Sequence, residues 1–549
     1  MLRIHEIKRN LGEEMDVIPR NIIKKLNIKD LEITELQVIK ESVDARNKAE
    51  IKLVYSIDFV PSLPGKNVAE TEAFLMDISK GIKLEKSPDM SYHPVPQGRD
   101  AMKHRPVIAG FGPCGMFAGL ILSEMGYRPL IIERGKPIAE RIKDVDRFWD
   151  KGMLDEESNV QFGEGGAGLF SDGKLTTQIK DPRVRKVLEE FVEAGGAPEI
   201  LYQQKPHIGT DVLRKIVLNI RKKIIENGGE ILFQSKLSDL VVAEETGNKK
   251  IQGVIINGER KIDTEALILA IGHSARDTFR VLHRNDVVLE QKPFSIGVRI
   301  EHPQALINEA QYGKAWETYD LGAADYKLAH HCENGRGVYT FCMCPGGYVI
   351  GAASQDGGVV TNGMSYHDRG SALANSALLV DVRKSDFPNE SPIAGIEFQE
   401  KYERLAFVAG GSNYHAPAQK LKDFMGDSQP SKHTETNGVS TVEPTYRPNT
   451  EWADLSKCLP EFAVEAMREA IPVLGRKLRG FNMGEAVMTG VETRSSSPVR
   501  ITRDQNLMSS IEGLYPAGEG AGYAGGIMSA AVDGIRIAEE IVKKYKSFI

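Results

Sequence analysis

The sequence predicts an α/β protein: a doubly wound, Rossmann-like unit, an α+β unit inserted into it, and a small ferredoxin-like α+β unit in front. Three stretches predict it. Pro106–Gly135 runs strand, glycine turn, helix, strand, acid; Ala266–Ile271 is an apolar strand far downstream; Gly513–Tyr545 is a second glycine-rich passage from strand to helix. Strands separated by helices and long excursions give a parallel sheet with helices on its faces.

Each element of the first stretch has a mechanical reason. Val107, Ile108 and Ala109 form a short buried strand, and Gly110-x-Gly112-x-x-Gly115 makes the turn. Gly110 permits the tight exit, Gly112 lets a pyrophosphate approach the backbone, and Gly115 with Gly119 lets helix and strand pack closely. Pro113 and Cys114 belong to the same turn, and Met116–Met125 continues as a helix that stops at Gly126. Leu130–Ile132 is the second strand, and Glu133 at its tip can accept the hydroxyls of an adenosine ribose, with Arg134 beside it. The helix N-terminus offers free N–H groups to a diphosphate. A membrane span is excluded: Val107–Ser123 is uncharged but holds four glycines and a proline and falls short of the roughly 20 apolar residues required.

Composition narrows the class. The chain has 549 residues, 41% hydrophobic and 27% charged, with formal net charge −6 and five cysteines. No basic run favours nucleic acid, five unevenly spaced cysteines make no disulfide framework, and MLRIHEIKRNLGEE lacks the apolar core of a signal peptide. A cytoplasmic location is expected.

Four segments follow: 1–95, 105–284, 285–480 and 481–549. In the first, Leu2–Ile7, Ile33–Ile39 and Ile51–Phe59 are strands, and Ile18, Ile22, Ile23 and Leu26 mark a helical face. Val68–Ile78 adds a helix, for a βαββα order; Ser42–Arg46 is a polar turn and Ser87–Arg105 a linker. In the second, Gly163-x-Gly165-x-x-Gly168 repeats the glycine pattern without a preceding strand. Two readings stand: a nest of N–H groups, Gly165 and Gly166 among them, wrapping a bound cofactor, or a plain glycine loop. Asp211–Asn227 is an amphipathic helix, and Glu230–Leu237 and Gly253–Ile256 are strands, with Leu237 near the cofactor crevice. Ala266–Ile271 ends at Gly272-His273-Ser274, where strand tips deliver residues to a ligand.

In the third segment Phe294–Ile300, Val338–Phe341 and Tyr348–Ala352 are strands, the last two joined by the Cys344–Gly347 turn. His330, His331, Cys332, Cys342 and Cys344 gather here without zinc-ribbon or zinc-finger spacing, so no metal is expected; the thiols either pack on a hairpin or exchange electrons with a cofactor. In the fourth, Gly518-Glu519 leads to Gly520-x-Gly522-x-x-Gly525, Gly526 and a helix from Ile527, with Met528, Val532, Ile535 and Ile541 on its apolar side. No second strand or ribose acid follows, so this is not a second complete nucleotide site.

With both end motifs in place the chain resembles the two-dinucleotide-binding-domain flavoproteins. Over nearly its whole length it is similar to the bacterial family of uncharacterised FAD-dependent, or NAD(FAD)-utilising, dehydrogenases. QFGEGGAGLFSDGKL, FCMCPGGYV, GVETRSSSPVRI and YPAGEGAGYAGGIMSAA carry the likeness. The resemblance implies FAD, its ADP half on the first motif and its ribityl chain near Gly518-Glu519, where Gly-Asp is usual. It implies an oxidoreductase passing a hydride through flavin N5 to or from a small substrate, an unsaturated one as first guess. Lys174, His273 and Arg494 are the candidate catalytic groups; for Lys174, a place near the flavin competes with plain solvation. NAD(P)H is expected only as a transient reductant, and a reduced carrier protein docking on residues 1–95 is the alternative donor. The rival functions are an FAD-binding sensor or electron carrier and a flavin-dependent RNA-modifying enzyme.

Overall fold

The computed structural model describes residues 1–245, 247–426 and 442–548. Its N-terminal sheet has four antiparallel strands in the spatial order Glu32–Asp44, Lys52–Ser62, Leu2–Asn10, Leu84–Lys86. Ile18, Ile22 and Leu26 of the first helix, with Leu75 of the second, cover Leu2, Ile4, Ile57 and Phe59. This is the complete βαββαβ ferredoxin-like order. The last strand, Leu84–Lys86, is only three residues long, too short for a period of two to register.

The parallel sheet has five strands in the order Leu514–Pro516, Leu267–Leu269, Val107–Ala109, Leu130–Ile132, Glu230–Leu232. The first four are fully buried, as strands covered on both faces must be. The helices Pro113–Glu124 and Ile527–Lys544 pack together so closely that a Cβ on Gly534 would lie 2.1 Å from the Cys114 carbonyl oxygen. Glu230–Leu237 is not one strand. The chain bends after Leu232 because the Gln234 and Ser235 N–H groups donate to the Gly135 and Glu133 carbonyls. Leu237 then begins a separate three-stranded antiparallel sheet, Leu237–Glu245, Asn248–Ile256 and Arg260–Asp263.

A seven-stranded sheet dominates the middle of the chain: Ala329–His331, Gly337–Cys344, Leu373–Val382, Phe294–Pro303, Val487–Glu492, Ala416–Lys420, Thr450–Trp452. Val487–Glu492 pairs with Phe294–Pro303, so a boundary at residue 480 cuts this sheet. Tyr348–Gly351 pairs with Thr361–Met364 rather than with Gly337–Cys344. The Cys344–Gly347 turn therefore links two sheets and is not a hairpin tip.

The N-terminal unit is docked, not tethered. Glu41 N–H donates to Tyr202 O at 2.8 Å and Gln204 N–H to Glu41 O at 2.9 Å. The linker lies along the last helix, where Gly98 N–H donates to Val542 O. Among the described residues no helix is long and apolar enough to cross a membrane.

Candidate functional site

One cavity of about 1940 Å³ lies at the carboxyl ends of the parallel strands and under the seven-stranded sheet. Sites for a single small ligand measure about 300–1,000 Å³, so this one has room for a dinucleotide and a second molecule. Four chain segments meet in it. A Cβ on Gly166 would stand 2.9 Å from Gly112 Cα, and one on Gly168 would stand 3.1 Å from Ile527 Cγ1. A Cβ on Gly520 would stand 2.5 Å from the Gly272 carbonyl oxygen. Ser274 Oγ donates to Gln161 Oε1 at 3.1 Å, tying the Gly272–Ser274 turn to the middle loop. The first, second and terminal glycine motifs thus form one continuous backbone surface.

That surface fits a flavin dinucleotide. Nothing lies within 4 Å of a Cβ built on Gly272, Gly525 or Gly526, and on Gly112 it would meet only Gly166 Cα, at 3.6 Å. The glycines there leave space that the protein does not fill. The helices from Pro113 and Ile527 carry no side-chain cap, so their first N–H groups face the cavity as anion donors. Gly110, at φ 105°, makes the tight turn; a Cβ there would press to 2.3 Å from the Ala270 carbonyl oxygen.

Glu133 is buried at the strand tip and already organised. Phe111 N–H donates to its Oε2, and the N–H groups of Gly135 and Gly163 donate to Oε1, each at 2.9 Å. A carboxylate offers about four acceptor positions, so one remains. Glu133 thus has room for one further hydrogen bond at the cavity.

Pro113, Cys114, Arg134, Gly166, Leu237, Glu519 and Ile527 line the cavity with the open glycines. Gly115, Gly165 and Gly518, expected at the cofactor, do not; they let neighbouring segments pack closely. A Cβ on Gly115 would overlap the Gly110 carbonyl oxygen at 1.9 Å, and one on Gly518 would meet Cys114 Cβ at 2.9 Å. Gly165 N–H donates to Phe111 O at 2.9 Å and stitches the two loops. Arg134 is held by Glu157 and Asp277 and lies over the Phe162 ring at 4.1 Å, so it props the loop and has no charge to spare.

The three catalytic candidates separate. Lys174 reaches into the cavity and donates to the Met343 carbonyl, so it is fixed to the roof and not simply solvated. His273 is neutral: burial, with Arg494 and Arg276 nearby, pushes its imidazole down to about 3. Its Nδ1 is 2.9 Å from Ser274 Oγ and its Nε2 4.0 Å from Glu519. Burial pushes the Glu519 carboxyl up to about 7. Arg494 lines the cavity, but its guanidinium donates to Glu403 at 3.0 and 3.1 Å and to Ser354 Oγ at 2.5 Å. Glu403 also pairs with Arg276 at 2.7 Å. Against the cost of burial, the two arginines hold this carboxylate well below its usual range. Arg494 is thus a buried structural charge and not a free proton donor.

Sequence reasoning missed Arg141. It is fully buried and donates to the carbonyls of Asn159, Val160, Gly163, Glu164 and Gly166 at 2.7–3.2 Å. Five carbonyls on one cation give the middle glycine loop its shape. On an amphipathic helix an arginine reads as a solvent residue, so no signal marked it. All five cysteines are free. Cys342 opens to the cavity at φ 43°, its carbonyl held by Arg299 at 2.8 Å, while Cys344 is buried and donates to that same carbonyl at 3.3 Å.

Residues 293–495 match the family described as FAD-dependent protein, C-terminal domain-like, and residues 1–60 match a domain of unknown function (DUF8436). A protein of Clostridium beijerinckii, described only as uncharacterised, is 46% identical over 548 residues, 99% of each chain. Among solved structures, L-proline dehydrogenase from P. horikoshii is 11% identical, with TM-score 0.37, over 82% of this chain and 94% of that one. Glycine oxidase from Bacillus cereus is 11% identical, with TM-score 0.31, over 80% and 95%. Identity across essentially the whole length places this chain in one family with its clostridial relative.

Proposed function

We propose that the protein is an FAD-dependent oxidoreductase that exchanges a hydride with a small substrate held between the cofactor and the seven-stranded sheet. The observation that carries this reading is the meeting of three glycine motifs in one cavity, with Gly112, Gly525 and Gly526 leaving open space. Bound FAD supplies two-electron hydride chemistry at its ring. The chain supplies position and charge. The N-terminus of Pro113–Glu124 would hold the diphosphate, Glu133 would take a ribose hydroxyl, and Glu519 would serve the ribityl chain. The dipole at the N-terminus of Ile527–Lys544 would favour negative charge on the reduced ring.

Lys174 reaches into the cavity and donates to the Met343 carbonyl without an ion pair. It orients an electron-rich group of the substrate, and an unsaturated carbonyl compound is the substrate class it suits. With His273 neutral and Arg494 bound to Glu403, neither serves as the proton donor. The electron donor is a transient visitor, a nicotinamide or a reduced carrier protein, since a single complete nucleotide unit serves FAD.

The test is direct. Purified protein should release about one FAD per chain on acid treatment, identified by chromatography, as the count of complete motifs requires. Anaerobic dithionite should bleach the flavin, and a substrate should restore it. Folded protein that neither carries nor takes up flavin refutes the reading.

A further inference from the structure

His330 and Cys332 lie two residues apart at the end of the edge strand Ala329–His331, so they point to one face and His331 to the other. The tight turn that follows, with Cys332 N–H donating to Arg336 O and Gly335 N–H to Cys332 O, presses the thiol inward until it is buried. The helix Glu461–Lys477 crosses that face. Ala466 and Glu469, three apart, lie on the same side of it. The Cys332 thiol donates to Ala466 O at 3.4 Å, and Glu469 Oε1 stands 3.3 Å from His330 Nε2. One ligand atom each from His330, Cys332 and Glu469 lie within 4.8 Å of one another. None of the three lines the large cavity.

We propose that His330, Cys332 and Glu469 form a zinc site that fastens the edge strand of the seven-stranded sheet to the helix Glu461–Lys477. A thiolate, an imidazole and a carboxylate are the donor types zinc takes, and three protein ligands leave a fourth position for water. Thiolate with imidazole selects zinc over magnesium or calcium. Zinc–ligand bonds of about 2.0–2.3 Å need the donors closer together than 4.8 Å. His330 and Glu469 are partly exposed, at 23% and 34%, and have the side-chain freedom to close in. On binding, the S–H bond breaks, the proton passes to water, and sulfur bonds zinc in place of its weak bond to Ala466 O. The spacing of His330, Cys332 and the neighbouring cysteines fits no zinc ribbon or finger. The third ligand comes from a helix more than a hundred residues away and was invisible in that spacing.

The experiment uses full-length protein, stripped with a chelator, reloaded with zinc and desalted into thiol-free buffer. Metal analysis should find one zinc per chain. Cobalt in its place should give intense tetrahedral d–d bands to the red of flavin absorption. Competition with a chromophoric chelator gives the affinity. Glu469→Gln, His330→Ala and Cys332→Ser should each weaken it by more than the ~10–100-fold that loss of an outer-shell partner costs. Cys332 is buried, so Glu469→Gln at the partly exposed end is the variant that decides the matter if Cys332→Ser loses its far-UV circular dichroism. Wild-type protein that retains no zinc overturns the proposal. So does equal retention by wild type and Glu469→Gln, which would put the metal elsewhere.

Discussion

Adding one methyl group at Gly112 and at Gly115 should do opposite things, though the two glycines belong to the same motif. At Gly112 the new Cβ meets only Gly166 Cα, at the ordinary contact distance of 3.6 Å. The backbone there is extended, with φ −79° and ψ −176°, and alanine adopts it freely. Gly112→Ala should leave the apoprotein as stable as wild type or up to ~1 kcal/mol more stable, through the unfolded chain. The methyl instead occupies the space of the diphosphate. If two phosphate–amide bonds are lost, at about 1.5–3 kcal/mol each, FAD should bind ~10²–10⁴-fold more weakly. At Gly115 the Cβ lies 1.9 Å from the Gly110 carbonyl oxygen and 3.2 Å from Ile108 Cγ2. The first is backbone of the tight turn itself and has nowhere to go. Gly115→Ala should cost about 3 kcal/mol, the upper end of ordinary overpacking. Thermal unfolding of both apoproteins, with flavin-fluorescence titration, separates the two effects. Wild-type FAD affinity in Gly112→Ala, or an unchanged melting curve in Gly115→Ala, would refute the assignment of ligand space to one and packing to the other.

Glu403→Gln removes the shared counter-charge of Arg276 and Arg494 and should destabilise by about 3–5 kcal/mol, seen as a lowered melting temperature by circular dichroism; an unchanged curve would show that the pair is solvated. Burial raises the Glu519 carboxyl to about 7 from an ordinary ~4.3, so the folded apoprotein holds a proton that the unfolded chain has lost between those values. Its contribution is therefore full below the unfolded pKa, falls by roughly 1.4 kcal/mol per pH unit through that window and is gone above the folded pKa; Glu519→Gln should remove that slope from denaturant titrations run across it, and identical slopes in the two proteins contradict the assignment. Arg9, Glu41, Val43 and Arg46 line the outer cavity, so deleting residues 1–95 should leave FAD bound, since every glycine motif remains, while iodide quenching of flavin fluorescence increases. Loss of flavin from protein that is still folded would make the N-terminal unit part of the cofactor shell.

What could be read from sequence follows from how local each signal is. Val107–Glu133 was legible because turn, helix and strand answer one another within a span shorter than thirty residues, and each glycine has a neighbour in the motif that explains it. The element order of the N-terminal unit was nearly legible for the same reason; it missed Leu84–Lys86, where three residues carry no period, and it ended the second strand before Ser42–Asp44, which the structure pairs with Lys52–Val54. The site itself was half legible. The motif pattern gave Gly112 and Gly115 different tasks, and the contacts agree with that division for packing: a Cβ on Gly115 would overlap the Gly110 carbonyl oxygen at 1.9 Å, while one on Gly112 meets only Gly166 Cα at 3.6 Å.

Charged residues were the opaque part, because what a charge does depends on what faces it from another element. Arg141 carried no mark in the sequence and is the clamp on five loop carbonyls. Arg494 looked like a catalytic cation and shares with Arg276 the buried Glu403, which comes from the helix Ala394–Ala409. Glu133 read correctly as the acid at the strand tip, yet its three backbone donors come from Phe111, Gly135 and Gly163, two of them in separate loops. Glu133 is thus what joins the first and second glycine motifs. The middle glycine loop acquires its place at the cavity from that carboxylate and from Arg141, and not from its own glycine spacing, which is why the spacing alone left two readings open.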